Sequence, residues 1–206
     1  MAAAAIALAG LAGAASAQEG ASWATGDGAM TTLMFGGGSG LPPTPAAMAP
    51  EDMARLFKRI CLDTNGDPAA IDAAAAAASP ALTAAPMKVS AGKNKPEIQL
   101  HLWRGPGVVV AQTDGFFAVQ DAQCNITFYP TALPDRSSLA TALGAAIGTE
   151  PSNAADAVKK GKPNKHYLPI WVVGTAPPRR VSAVAMRGNQ YTPGDRVLFA
   201  ARVPAK

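Results

Sequence analysis

Apolar residues first recur at helical spacing just after Pro50, which suits the first turn of a helix. Four of them stand at i, i+3, i+4 and i+7: Met53, Leu56, Phe57 and Ile60. This spacing predicts a helix with one apolar face, and Cys61 lies at the edge of that face. Three cations fall on the opposite side, towards water: Arg55, Lys58 and Arg59. We therefore expect Cys61 to point into a core.

A second helix is predicted directly downstream. Asn65-Gly66 ends the first helix, Asp67 is a favourable N-cap, and Pro68 suits the first helical position. The alanine tract that follows favours helix to about Ser79, but Ile71 is its only large apolar residue. We expect this helix to be peripheral or closely packed.

The pattern changes to a period of two at Glu97. Polar Glu97, Gln99 and His101 alternate there with apolar Ile98, Leu100 and Leu102. Such alternation predicts a half-buried strand with its leucines in the core and His101 on the polar side. Asp114-Gly115 then separates two β-rich runs, residues 108–113 and 116–119, and this arrangement indicates a hairpin. A further strand carries Cys124, Ile126 and Phe128 on one face.

The last third of the chain predicts one more clear helix and three strands. Asp135 or Ser137 caps a helix that ends at Gly148, and residues 151–160 add a short second helix. The apolar stripe of the first of these helices is Leu139, Leu143, Ala146 and Ile147. The strands are predicted at 167–173, 180–186 and 196–203. In the last strand, the inward residues are Val197, Phe199, Ala201 and Val203, and the outward ones are Arg196 and Arg202.

These elements indicate an α+β fold. We expect a single twisted antiparallel sheet with helices packed on one face, stapled by one disulfide. A strand–helix–strand alternation, which a parallel nucleotide-binding sheet would need, is not evident in the pattern.

The region before Pro50 differs in composition from the rest. Residues 1–17 contain only small or apolar side chains and end in Ala15-Ser16-Ala17, as a cleaved signal peptide does. Residues 18–49 are rich in glycine and proline, which is typical of a flexible tether. We therefore predict a signal peptide at 1–17, a tether at 18–49 and an α+β domain at 50–206, without a transmembrane segment in the mature chain. The expected location is the bacterial periplasm or the exterior.

The chain contains two cysteines, Cys61 and Cys124. In an oxidising compartment, their simplest state is a disulfide, and the inward position predicted for both favours it. The alternatives are two free thiols or a redox pair, but the C-x-x-C spacing of a redox pair is absent.

Charge and motifs argue against several activities. The net charge of +4 is too small and too dispersed for nucleic-acid binding. Asp63 opens a stretch that resembles a calcium loop, but Pro68 and Ala74 occupy the positions that need glycine and glutamate. The only histidines, His101 and His166, lack partners at zinc-ligand spacing. We therefore predict no metal site, no cofactor and no catalytic residue.

One cluster of cations stands out. It consists of Lys159, Lys160, Lys162, Lys165, Arg179 and Arg180. Such a patch could bind an anionic envelope component, namely a phospholipid, a lipopolysaccharide or a cell-wall polymer. The alternative is a solvated loop that carries a few lysines.

Several of these features occur together in a known group of proteins. The features are the leader, the Phe57-x-x-x-Cys61 helix, Asp67 before an alanine-rich helix, and Cys124 at a mid-chain strand. In these features, the chain resembles small exported proteins common in alphaproteobacteria. The resemblance covers about residues 50–130. It implies a compartment and a fold, but no activity.

The sequence therefore favours a non-enzymatic binding or scaffolding module of the bacterial cell envelope, acting through its sheet face or its basic loop. The alternative is a small periplasmic hydrolase that works with carboxylates or with His101.

Overall fold

The computed structural model describes residues 43–90, 97–113, 122–151, 158–159, 162–163, 171–174, 178–188 and 194–203. The predicted signal peptide, most of the predicted tether and the Asp114-Gly115 turn lie outside these residues. Ala46 forms a β-bridge with Pro130, and its N–H donates to the carbonyl of Tyr129 at 3.0 Å. The last residues of the predicted tether therefore already lie against the domain.

The described residues contain three α-helices: α1 (Pro50–Phe57), α2 (Pro68–Ala76) and α3 (Arg136–Ile147). One π-helical turn, Lys58–Leu62, extends α1 and carries Cys61. The predicted caps are confirmed. The Asp67 side chain accepts from the N–H of Ala70, and the Asp135 side chain accepts from the N–H groups of Ser137 and Ser138. Gly148 ends α3 in the left-handed conformation that glycine adopts without strain.

Ten strands lie in the described part of the chain. They are β1 (Thr83–Ala84), β2 (Met87–Ser90), β3 (Glu97–Gly105), β4 (Val108–Thr113), β5 (Ala122–Phe128), β6 (Val158–Lys159), β7 (Lys162–Pro163), β8 (Trp171–Val173), β9 (Arg179–Met186) and β10 (Arg196–Val203). Eight of them form one antiparallel sheet in the order β1-β3-β4-β5-β10-β9-β8, in which β2 also pairs with β3. The remaining two, β6 and β7, pair with each other.

The sheet consists of two antiparallel meanders, β3-β4-β5 and β8-β9-β10, that meet along β5 and β10. Of these two central strands, β5 pairs with β10 over its full length, from Phe128 opposite Val197 to Ala122 opposite Val203. Strands far apart in sequence therefore form the middle of the sheet, and α3 belongs to the connection between the meanders. The predicted α+β fold, an antiparallel sheet with one disulfide, is confirmed.

One face of the sheet packs against the helices and forms the main core. Its largest buried side chains come from both layers: Phe57, Ile60, Ile126, Phe128, Leu139, Leu143, Trp171 and Phe199. Phe199 is central, because its ring meets Phe57 of α1 and Phe128 of β5 edge-on, each at a centroid distance of 5.5 Å. Such edge-to-face contacts add to the free energy gained by burial alone.

The predicted facing of β3 is wrong. Trp103 and His101 lie on the helix side, whereas Leu100 and Leu102 lie on the opposite face. Both leucines are nevertheless buried, with 4% of their surface exposed. Alternation assigns a strand face correctly only when the other face is solvated, and both faces of this sheet are buried in the middle.

One tight turn of the sheet was not predicted. The tight hairpin joins β3 to β4 through Pro106-Gly107, where Gly107 has a φ of +65° and an added Cβ would approach Ala46 to 2.7 Å. The predicted Asp114-Gly115 turn is outside the described residues. The prediction of a short helix over residues 151–160 is wrong at its C-terminal end, because Val158–Lys159 forms strand β6.

Candidate functional site

The α1 helix and its π-helical extension present two different stripes. The inner stripe contains the buried residues Met53, Phe57, Ile60 and Cys61, each at most 1% exposed. The outer stripe contains Asp52, Arg55, Arg59 and Asp63, all exposed, and half-buried Leu56 lies between the two stripes. Since residues three and four apart share a helix face, the outer stripe is one continuous polar edge.

A groove of about 710 Å³ runs along this outer stripe. Its lining residues are Ala47, Met48, Asp52, Arg55, Leu56, Lys58, Arg59, Asp63, Ser79, Pro80 and Ala146. The apolar lining residues therefore come from four segments: the residues before α1, α1 itself, the segment after α2 and the end of α3. A volume of this size falls within the range of ligand-binding clefts. We call this cleft the α1 groove.

The charges of the α1 groove follow a simple pattern. Arg55 is paired with Asp52, and the Lys58 Nζ lies 2.7 Å from the Asp63 Oδ1. Both ion pairs are largely exposed, so each contributes little to stability. Arg59 lies between the two pairs and makes no ion pair or hydrogen bond among the described residues. The charged residues that line the groove therefore include one uncompensated cation, Arg59.

The predicted disulfide holds this helix against the centre of the sheet. The sulfur atoms of Cys61 and Cys124 are 2.00 Å apart, and the Cα atoms are 5.4 Å apart. Cys124 belongs to β5, one of the two central strands. The bridge thus fixes the π-helical turn next to the α1 groove.

The predicted basic patch stays a prediction as a whole, because the side chains of its four lysines lie outside the described part of the structure. Lys159 and Lys162 are paired positions of β6 and β7, while Lys160 and Lys165 lie outside the described residues. Arg179 and Arg180 are neighbours on β9, so their side chains project to opposite faces of the sheet.

Arg179 has a structural contact on the helix side. Its guanidinium donates a hydrogen bond to the carbonyl of Leu62, at the last turn of the α1 extension. A cation at that position stabilises the negative end of a helix. Arg180 is exposed and lies opposite Arg202 of β10.

Polar and charged residues occupy the sheet face away from the described helices. Asn125, Thr127 and Arg196 are buried there, with 1%, 0% and 6% of their surface exposed. Arg196 points away from the helices as predicted, but the prediction that it faces water is wrong. Burial raises the pKa of the Tyr129 phenol, and the guanidinium groups of Arg196 and Arg104 oppose that rise. Burial also lowers the pKa of Arg196.

His101, the candidate residue of the hydrolase alternative, is half-buried beside Trp103. The two rings stack at a centroid distance of 6.3 Å, and the Trp103 Nε1 donates to the Asp72 Oδ1 at 2.6 Å. The nearby carboxylate is therefore hydrogen-bonded to the indole. An acid–base pair that includes His101 is not present in the described part of the chain.

Comparisons with protein-family models, with curated proteins and with solved structures found no match for this chain. Among the described residues, no group of three or more His, Cys, Asp or Glu is arranged to hold a metal ion. None of the helices in the described ranges has the length and apolar character that crossing a bilayer requires. Within the described part of the chain, we take the α1 groove as the candidate site.

Proposed function

We propose that the protein is an exported, non-enzymatic binding module of the cell envelope that holds an anionic partner in the α1 groove. The observation that carries this proposal is the position of Arg59. Its exposed guanidinium has no ion pair among the described residues. It lines the same groove as the apolar residues Met48 and Leu56. Guanidinium groups bind carboxylates and phosphates well, and the apolar floor would add contact area.

The disulfide supports the location. Disulfides form and persist in oxidising compartments, so the bridge between Cys61 and Cys124 is compatible with an exported protein. The predicted signal peptide at residues 1–17 remains a prediction. The bridge also supports a role in binding, because it holds the helix that carries the groove against the core.

The proposal is tested by binding measurements on the mature protein. The probes are phosphatidylglycerol vesicles, lipopolysaccharide, peptidoglycan fragments and an acidic peptide. The test variant is Arg55→Gln with Arg59→Gln, which removes two groove cations. We expect at least one probe to bind the wild type and to bind this variant about tenfold more weakly, with weaker binding to the wild type at higher salt.

Arg187→Gln is the control, because Arg187 is exposed and does not line the groove. It removes one positive charge outside the groove and should change affinity by less than about twofold. The proposal fails if no probe distinguishes the groove variant from this control.

The hydrolase alternative makes a different prediction. If His101 acts on a substrate, His101→Ala abolishes an envelope hydrolase activity while the unfolding transition stays in place. The stacking of His101 on Trp103 and the bond from Trp103 to Asp72 instead suggest a packing role.

A further inference from the structure

We infer that the occupant of the α1 groove is a short peptide segment with one central carboxylate, rather than an anionic membrane surface. This inference rests on the proposed function and names its partner. It is drawn from the order of charges along the groove, from the length of the groove and from its apolar wall.

The order of charges favours a discrete segment. Asp52 and Asp63 stand at the two ends of the outer stripe, each paired with a cation, Arg55 or Lys58, and Arg59 stands between them. A layer of anionic headgroups would place several negative charges against a stripe that offers one uncompensated cation and two carboxylates. A peptide with one central glutamate or aspartate and neutral or basic ends matches this pattern throughout.

The dimensions also suit a peptide. Asp52 and Asp63 are eleven residues apart on the helix and its extension. At the helical rise per residue this is roughly 16 Å. An extended peptide covers that length with about five residues.

The groove provides apolar contact beside the charged stripe. Met48 and Leu56 are half-buried and line it, as do Pro80 and Ala146. Apolar side chains on either side of the central carboxylate would cover these residues. The carboxylate itself would accept hydrogen bonds from the planar Arg59 guanidinium.

The test uses a fluorescein-labelled peptide with one central glutamate, a leucine on each side of it and a lysine at each end. Fluorescence anisotropy measures its binding to the mature protein. A second peptide has glutamine in place of the glutamate, and the protein is used as the wild type, Arg59→Gln and Arg187→Gln.

We expect the glutamate peptide to bind the wild type about fivefold more tightly than it binds Arg59→Gln. Replacing the glutamate of the peptide by glutamine should weaken binding to the wild type by a similar factor. The same replacement should leave the affinity for Arg59→Gln almost unchanged. This non-additivity identifies a direct contact between Arg59 and the carboxylate. Arg187→Gln should bind both peptides like the wild type.

Additive effects, or no binding of the peptide at all, would overturn the inference. Phosphatidylglycerol vesicles provide the competing arm. If they bind in a manner sensitive to Arg59→Gln while the peptide does not, the groove is a lipid site, the inference is wrong and the proposed function stands. If neither probe is sensitive to Arg59→Gln, the inference fails, and the proposed function also fails if none of its probes is sensitive to the double groove variant.

Discussion

The two stripes of α1 differ in what their residues contact. The inner stripe packs Met53 and Phe57 into the core and ends at the disulfide of Cys61, so it determines whether the domain folds. The outer stripe holds only exposed ion pairs and Arg59, so it adds little to stability. One short helix thus separates the residues that hold the fold from those that we propose bind a partner. Changes on the two stripes should therefore have different consequences.

The largest effect is expected from removal of the disulfide. Cys61 and Cys124 are separated by 63 residues, and a loop of that length corresponds to about 4 kcal/mol in the chain-entropy model. The double variant Cys61→Ser, Cys124→Ser should lose about that much free energy of unfolding in urea titrations. A midpoint equal to that of the wild type would contradict a structural role for the bridge.

Substitutions at adjacent residues of α1 sharpen the comparison. Met53 is fully buried, so Met53→Ala should cost about 3 kcal/mol of unfolding free energy through lost burial and a residual cavity. Asp52 is exposed on the other stripe, and Asp52→Ala should change stability by no more than about 0.5 kcal/mol. Similar losses for both variants, measured in parallel urea titrations, would show that the stripes are not separate.

A smaller effect is expected at the end of the α1 extension. Arg179→Gln removes the hydrogen bond from the guanidinium to the Leu62 carbonyl, at a cost of about 1 kcal/mol. Arg180 is the natural control, since it is the next residue of β9 but projects to the other face. Thermal unfolding should show a lower midpoint for Arg179→Gln than for Arg180→Gln. The reverse order would contradict the proposed contact.

The smallest effect concerns the N-cap of α3, the helix that packs against α1. The hydrogen bond from the Ser137 hydroxyl lowers the pKa of the Asp135 carboxyl, and the Ser138 N–H adds to this effect. Its folded-state pKa is therefore below its unfolded value. The associated stability is present above the unfolded pKa and is lost as the pH falls through the folded one.

Asparagine also caps helices but does not titrate in this range. Asp135→Asn should therefore lose less stability than the wild type when unfolding is measured from pH 5 down to pH 3, a range around the ordinary aspartate pKa of about 3.9. Parallel curves for the two proteins would show that the cap does not contribute to acid sensitivity.

Local signals were sufficient to predict much of the fold. The capping residues Asp67 and Asp135 and the helical spacing after Pro50 identified the three described helices, and the period of two identified β5 and β10. The disulfide followed from the inward position of two cysteines. Pro106-Gly107 was a turn signal that could have located the β3–β4 hairpin.

The facing of β3 and the candidate site could not be obtained in the same way. His101 was placed on the wrong face because both sides of the sheet are buried at its centre. The cations of the α1 groove were correctly placed on the outer side of the helix. The groove itself depends on Ser79-Pro80 and Ala146, which only the packing of α3 and the segment after α2 brings near α1.

Only two of the six residues of the predicted basic patch have described side chains, Arg179 and Arg180, so the patch as a whole stays a prediction. These two were grouped on one surface, although adjacent strand positions point to opposite faces. The assignment of 180–186 as a strand already implied that Arg179 and Arg180 could separate in this way. For this pair, proximity in sequence was a poor guide to a shared surface.

The most direct test of the account compares two bulky substitutions on α3. Ala146 lines the α1 groove, whereas Ala145 is exposed and does not. Ala146→Phe should fill part of the groove and weaken binding of the glutamate peptide at least about tenfold, while both variants unfold within about 1 kcal/mol of the wild type. Ala145→Phe should bind the peptide normally. Equal affinities for the two variants would contradict the assignment of the α1 groove as the binding site.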